Sequence, residues 1–328
     1  MPPARMSVAG LSLLRWRTSV PMASNVIRPN RVDESSPAKR LPADGAPRRT
    51  VVIRPPSFSP FAIFGNLANL WQYFDLLLTL TAHRIKVRYK QSALGLAWAV
   101  VQPLALMLIY TVIFSYIARM PSDGAPYAVF AYTALLPWTT FATALGNATN
   151  GIVSHAGLVT KVYFPREILP LSYILSALAD FAIAAVVLAG LLFYYRIPLT
   201  LNILYAAPII LTMMIFVLAV ALFLSVLQVR FRDIGVGLPL LIQIWMFATP
   251  VIYPLSTVMG SAKIPAALKF LYSLNPMVGI VENFRRVVLH GTPPDFASLT
   301  LAVGVSLVLL PISYMYFKQT EATMADVI

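Results

Sequence analysis

The sequence predicts an all-α polytopic membrane protein with six transmembrane helices, an N-terminal amphipathic interfacial helix, and two short re-entrant helices before the last span. Three observations predict it. Of 328 residues, 59% are hydrophobic and only 11% are charged, whereas globular chains carry about 25% charged residues. The mean hydropathy is +0.76. The apolar residues also gather into stretches near the ~20 residues that cross a bilayer, divided by short polar links. Lipid is therefore the solvent for most of this chain.

Residues 1–60 are rich in Pro, Arg, Ser and Ala without a sustained apolar period, and are expected to form a disordered basic tail. Residues 61–328 form the membrane domain. The net charge of +13 does not point to nucleic acid, because fourteen of the 25 Lys and Arg precede Gly95, ten of them between Arg5 and Arg54. Such a tail either leans on anionic headgroups, at roughly 1 kcal/mol per residue, or stays solvated. The run Val8–Leu14 is too short and too closely followed by Arg15 and Arg17 for a signal peptide. Met22 serves equally well as a start. With no cysteine, disulfides are excluded.

From Trp71 to Gln91, Phe74, Leu77, Leu78, Thr81 and Ile85 recur at helical spacing while His83, Lys86 and Lys90 point elsewhere. That pattern suits a helix lying in the headgroup plane. Arg88 sits near its apolar face and must snorkel. Six spans follow: Ala93–Ala118, Tyr127–Ala148, Ile168–Tyr195, Leu201–Val229, Ile234–Tyr253 and Ala297–Phe317. The interval Pro254–Phe296 breaks the pattern. Its apolar pieces, Pro265–Leu274 and Met277–Leu289, are short and carry Lys269, Glu282, Arg285 and Arg286, as re-entrant helices do. Arg285 and Arg286 either pair with Glu282 or face outer headgroups. Counting Lys and Arg near the span ends gives nine inside against six outside for an arrangement with both termini in the cytoplasm.

Several chemistries have no signature. No G-x-x-x-x-G-K-[ST] loop is present, so the chain is not expected to hydrolyse ATP, and it is not expected to be an enzyme. His83, His155 and His290 lie far apart, which argues against a metal site. Asp180 is the one acidic residue deep in a span, and an ionisable group there is a candidate by position. It either fixes one helix to another or couples ion movement to transport.

The segment Arg88–Tyr110 (RYKQSALGLAWAVVQPLALMLIY) sets a basic cluster, Leu94-Gly95, Trp98 and Gln102-Pro103 at the start of the first span. Leu158–Pro170 (LVTKVYFPREILP), Arg230–Asp233 (RFRD), Trp245–Pro254 (WMFATPVIYP) and Leu274–Met277 (LNPM) follow in order. Together, from Phe61 onward, they resemble the permease subunit of ABC-2 type polysaccharide exporters, the group that moves O-antigen, capsule and teichoic-acid chains. The resemblance implies a homodimer in the inner membrane working with two copies of a separate ABC ATPase, which would hold the ATP and Mg; no cofactor is expected in this chain. It also implies a cytoplasmic coupling helix over Asn150–Phe164, with Gly157, Leu158, Lys161, Val162, Tyr163 and Phe164 seated in the ATPase.

The same resemblance places the first and fifth spans along the conduit. Tyr110, Phe114, Trp245, Phe247 and Tyr253 are then candidate lining residues, since aromatic faces suit the apolar C–H faces of sugars; they serve equally as packing or lipid-belt residues. Arg84, Lys86, Arg88 and Lys90 are candidate contacts to the phosphate of a lipid-linked polysaccharide, or simply set topology. The expected function is the conduit of an ATP-driven exporter of such a glycan. The alternatives are an ABC-2 permease for a drug or small lipid, an ion-coupled secondary transporter relying on Asp180, and a membrane enzyme acting on a lipid-linked sugar.

Overall fold

The computed structural model describes residues 71–90 and 95–328. The expected tail over 1–60, the residues to 70, and the start of the first span at Ala93 and Leu94 lie outside the described residues. Among the described residues, regular structure is entirely helical.

Helix α1 (Phe74–Lys90) occupies most of the expected interfacial segment. Gly95, at φ +51°, then turns the chain as only glycine does readily, into α2 (Trp98–Tyr110), which continues as a π-helical stretch over Thr111–Ile117. Helix α3 runs from Tyr127 to Ser154. Its 28 residues reach about 42 Å, beyond a ~30 Å hydrocarbon core. The expected span stopped at Ala148, where the sequence turns polar; the helix continues because Thr149, Asn150 and Gly151 do not break it once it leaves the lipid. The expected Asn150–Phe164 helix is accordingly split. Its first residues belong to α3, and after a break at His155 a separate α4 (Ala156–Lys161) follows.

Helices α5 (Ile168–Tyr194) and α6 (Ala206–Arg230) match the third and fourth spans, the latter led in by a 3-10 turn at Leu201–Tyr205. The fifth span differs from expectation. Helix α7 covers Asp233–Phe247 and stops, six residues before Tyr253. Pro250 has no N–H to give and disfavours helix in the residue before it. Three short helices, where two were expected, then precede the last span: α8 (Leu255–Met259), α9 (Ala266–Ser273) and α10 (Pro276–Val288). Helix α10 starts on the Asn275 side chain, which accepts from the Met277 N–H at 3.1 Å, with proline at its first position. Helix α11 runs from Phe296 to Val327, ten residues past the expected end.

Among the described residues, five helices are long and apolar enough to cross a membrane: Trp98–Ile117, Tyr127–Ser154, Ile168–Tyr194, Leu201–Arg230 and Phe296–Glu321. Helix α7, with 15 residues, reaches about 22 Å. Five crossings alone would put α1 and the last turns of α11 at opposite ends of the bundle. Instead, Tyr73, Leu76, Leu77 and Leu80 from around α1 share one apolar cluster with Phe317 and Met324 of α11. Helix α7 and the turns after it therefore carry the chain back to the far end.

The unwound backbone after α7 shows how this is tolerated. Asn275 donates to the Ala248 carbonyl at 3.1 Å and to Thr249 Oγ1 at 3.2 Å. Arg285, fully buried, donates to the carbonyls of Pro250 at 2.7 Å and Val251 at 3.3 Å. It also pairs with Glu282 at 3.0 Å and lies over the Phe130 ring at 3.9 Å. Of the two roles open for Arg285, pairing with Glu282 is the one observed; Arg286 instead donates to the Pro293 carbonyl at 3.4 Å.

Helix α3 is the axis of the bundle. Ala131, Ala134, Ala144 and Ala148 are buried along it and let neighbouring helices approach closely. Phe141 stacks on Phe216 of α6 at 5.9 Å and meets Trp245 of α7 edge-on at 5.1 Å. Helix α10 is set against α11 with no room for a side chain at Gly279, where an added Cβ would stand 2.8 Å from the Ser298 carbonyl oxygen. Gly279→Ala should therefore destabilise by about 1–3 kcal/mol through overpacking. Gly304→Ala, with nothing within 4 Å of the added carbon, should stabilise by about 0.5–1 kcal/mol through helix propensity. Thermal unfolding of the purified chain in detergent reads both signs.

Candidate functional site

Three groups of residues stand out, two at the end of the bundle that carries α1 and one toward the far end. The first is the connection between α3 and α5. Gly157 and Lys161 are exposed, Val162 is 52% and Tyr163 83% exposed, and Leu158 is half-buried. Phe164 departs from the expected outward role. It is buried with Val159, Ile168 and Phe317, and so holds the connection from within. Exposed large apolar side chains on a short anchored loop outside the span helices are what a docked partner covers.

Directly behind this loop lies a set of buried charges that the sequence did not single out. Glu167, almost wholly buried, accepts from Lys318 at 2.8 Å and from the Tyr314 hydroxyl at 3.3 Å. Lys318 also reaches Glu321 at 2.8 Å, and Glu321 accepts the Arg166 N–H at 3.0 Å. The Arg166 guanidinium closes the ring on the Glu321 carbonyl. Burial pushes the Glu167 carboxyl above its ordinary pKa and the Lys318 charge opposes it. The last turns of α11 are thereby fastened to Arg166 and Glu167, immediately beyond Tyr163. Only their Glu–Lys complementarity could have signalled this, and their sequence separation of 151 residues hides it.

The second group is the seam between α1 and α5. Arg84 donates to Ser172 at 2.7 Å and its guanidinium lies 3.3 Å from the centre of the Tyr173 ring. Arg88 is ion-paired with Asp180, and the Tyr89 hydroxyl donates to the same carboxylate at 2.6 Å. Burial, then the Asp180 hydrogen bond, pushes the Tyr89 hydroxyl up to about 12, so it stays a donor. Asp180 thus ties α5 to α1, the first of the two roles open to it. Of the four candidate phosphate contacts, Arg84 and Arg88 are turned into the seam, while Lys86 and Lys90 remain exposed.

The third group is aromatic. Tyr110 and Phe114 meet edge-on at 5.8 Å, and the Tyr110 hydroxyl lies 3.7 Å from the Met246 sulfur, so the first span touches α7 here. Trp245 is wedged between Phe141 and Phe216, and its indole N–H donates to Asn275 at 3.1 Å. Trp245, Phe247 and Tyr253 border one cavity of about 690 Å³ together with Tyr272 and Asn275. The Tyr253 hydroxyl donates to the Phe247 carbonyl at 2.6 Å and stands 3.3 Å from the Tyr272 hydroxyl. Tyr272 was missed because it falls in the short α9, outside any span.

Removing one member of a buried ion pair strands the other. Lys318→Met should therefore cost about 3–5 kcal/mol, read as a lowered thermal midpoint, and Lys318→Met with Glu167→Gln should recover most of it.

These features place the chain among known proteins. The family model for ABC-2 type transporters matches residues 75–289. The O-antigen export system permease protein RfbA of Myxococcus xanthus is 31% identical over 258 residues, covering 79% of this chain and 97% of that protein. A protein of the same name from Klebsiella pneumoniae is 29% identical over 262 residues, with 79% and 97% covered. The polysialic acid transport protein KpsM of Escherichia coli is 25% identical over 245 residues, with 73% and 91% covered. With its helical bundle, its anchored loop and a family match across most of the membrane domain, this chain belongs to the ABC-2 type transporter membrane family.

Proposed function

We propose that this chain is the membrane conduit of an ATP-driven exporter that carries a lipid-linked, O-antigen-like polysaccharide from the cytoplasm across the inner membrane. The observation that carries this reading is its similarity to an O-antigen export permease over 97% of that protein's length. Family membership supplies the motor as a separate ABC ATPase, and ATP with Mg belongs to that partner. The exposed Val162–Tyr163 loop is the docking surface, and the Glu167–Lys318 clamp gives it the stiffness that force transfer requires.

The working unit is a homodimer with two ATPase copies. Supporting this, Gln243 lies exposed on α7 between Ile242 and Ile244. An unpaired amide facing hydrocarbon is costly, from about 1 to several kcal/mol, so that face meets a second copy or a wet lumen rather than lipid. Both described ends of the membrane domain share one end of the bundle, and the positive side chains there support a cytoplasmic location for it. The candidate lining aromatics Tyr110, Phe114, Trp245, Phe247 and Tyr253, of which the last three border one cavity, suit a substrate that slides, because stacking on sugar faces reads no single linkage. In lipopolysaccharide biosynthesis this is the step between assembly of the glycan and its appearance outside.

Deleting the gene tests the reading. Finished glycan should accumulate in the cytoplasm and disappear from the surface; unchanged surface glycan would refute it. Tyr163→Asp, which puts a charge on the exposed loop, should lower recovery of the ATPase with the purified chain by about tenfold or more, the size of one lost interface anchor of ~1.4 kcal/mol or above.

A further inference from the structure

A half-open space of about 400 Å³ is lined by α1, α2, α3 and α5, apart from the cavity bordered by Trp245, Phe247 and Tyr253. Its volume falls within the ~300–1,000 Å³ of small-molecule sites. Helix α3 presents Thr139, Thr143 and Asn147 to it at four-residue spacing, one face of a helix. The Thr139 hydroxyl returns to the Leu136 carbonyl at 3.3 Å. Thr143, Asn147 and Gln102 of α2 have no hydrogen-bond partner among the described residues. Gln102 and Thr143 are exposed and Asn147 is half-buried, so their polar groups are open to a ligand in this space.

The charge in the lining narrows the ligand. Arg88 is already met by Asp180, and Tyr89 completes the carboxylate. The lining is therefore neutral, and an incoming phosphate would strand Asp180. An acyl chain would leave the two amides and the hydroxyl unanswered. What remains is an uncharged group with many donors and acceptors. The indole of Trp98, 48% exposed, adds a flat face of the kind that takes apolar C–H surface. Gln102 lies eight residues before Tyr110, about 12 Å along the same helix, so the chamber leads toward the candidate lining aromatics.

We propose that this chamber is a loading site for a neutral sugar unit, held by Gln102, Thr143, Asn147 and the face of Trp98 before the glycan reaches the aromatic conduit. The proposal rests on the glycan-export reading above.

The test uses cells producing the full chain with its ATPase partner. A photoreactive benzophenone amino acid replaces Thr143 or, as a control, Val186 on the exposed outer face of α5. After irradiation the purified chain is blotted for attached glycan. An adduct at the Thr143 position at least about tenfold above that at Val186, with surface glycan falling about tenfold in Asn147→Leu, is the expected result, the size of a lost hydrogen bond of ~1.4 kcal/mol. A chamber holding water only gives no adduct above the Val186 level. That result, in cells whose wild-type chain exports normally, overturns the loading site alone. Wild-type cells that export no glycan through this chain overturn the functional reading first and the loading site with it.

Discussion

The structure depends on one constraint: in lipid, every backbone N–H and C=O must find its partner within the protein. Long helices meet it by themselves. Where the helix breaks, a side chain must replace the lost bonds. Arg285 and Asn275 do this after α7, taking the carbonyls of Ala248, Pro250 and Val251. The chain can therefore unwind at Phe247, place three short helices at the far end of the bundle, and still enter α11 in register. An arginine with no exposed surface is an expensive way to do so, and Glu282 and the Phe130 ring offset that cost.

The two ends of the bundle answer the same constraint differently. At the α1 end, helices overrun the hydrocarbon, and their protruding turns are joined by charge: Arg166, Glu167, Lys318 and Glu321 around the base of α5 and α11. Farther along α5, Asp180 pairs with Arg88 of α1. That makes a stiff platform with a short exposed loop on it. At the far end, tyrosines and short helices enclose an aromatic cavity with few charges. A rigid base and a broken, aromatic far end are the division of labour expected when an external motor pushes on one side and a chain of sugars leaves on the other.

Much of this was legible in the sequence. Helix α1, all five long helices and the short pieces near α9 and α10 follow from periodicity and hydropathy alone. The end of α3 was misplaced because hydropathy ends the span at Ala148 and Asn150 reads as the start of a separate helix, although polar residues continue a helix once it leaves lipid. The end of α7 was misplaced because Val251, Ile252 and Tyr253 are apolar enough to pass as span, and hydropathy does not register that Pro250 stops the ladder. Phe164 was expected to seat in the ATPase, but its side chain fills the cluster beneath. The charge pairs were the least legible. Lys318 and Glu167 or Arg88 and Asp180 become neighbours only when helices far apart in sequence pack, and pairing rules for single helices do not reach across them. Asp180 looked isolated for that reason alone.

The central claim is that the charged, α1-bearing end of the bundle faces the cytoplasm and the short-helix end faces out. The chain has no cysteine, so single cysteines can be placed at Tyr163 on the exposed loop and at Lys263 between α8 and α9, and each labelled in intact cells with a membrane-impermeant maleimide. The account predicts labelling of Lys263→Cys from outside and of Tyr163→Cys only after the membrane is opened. Labelling of Tyr163→Cys in intact cells, with Lys263→Cys protected, would contradict it.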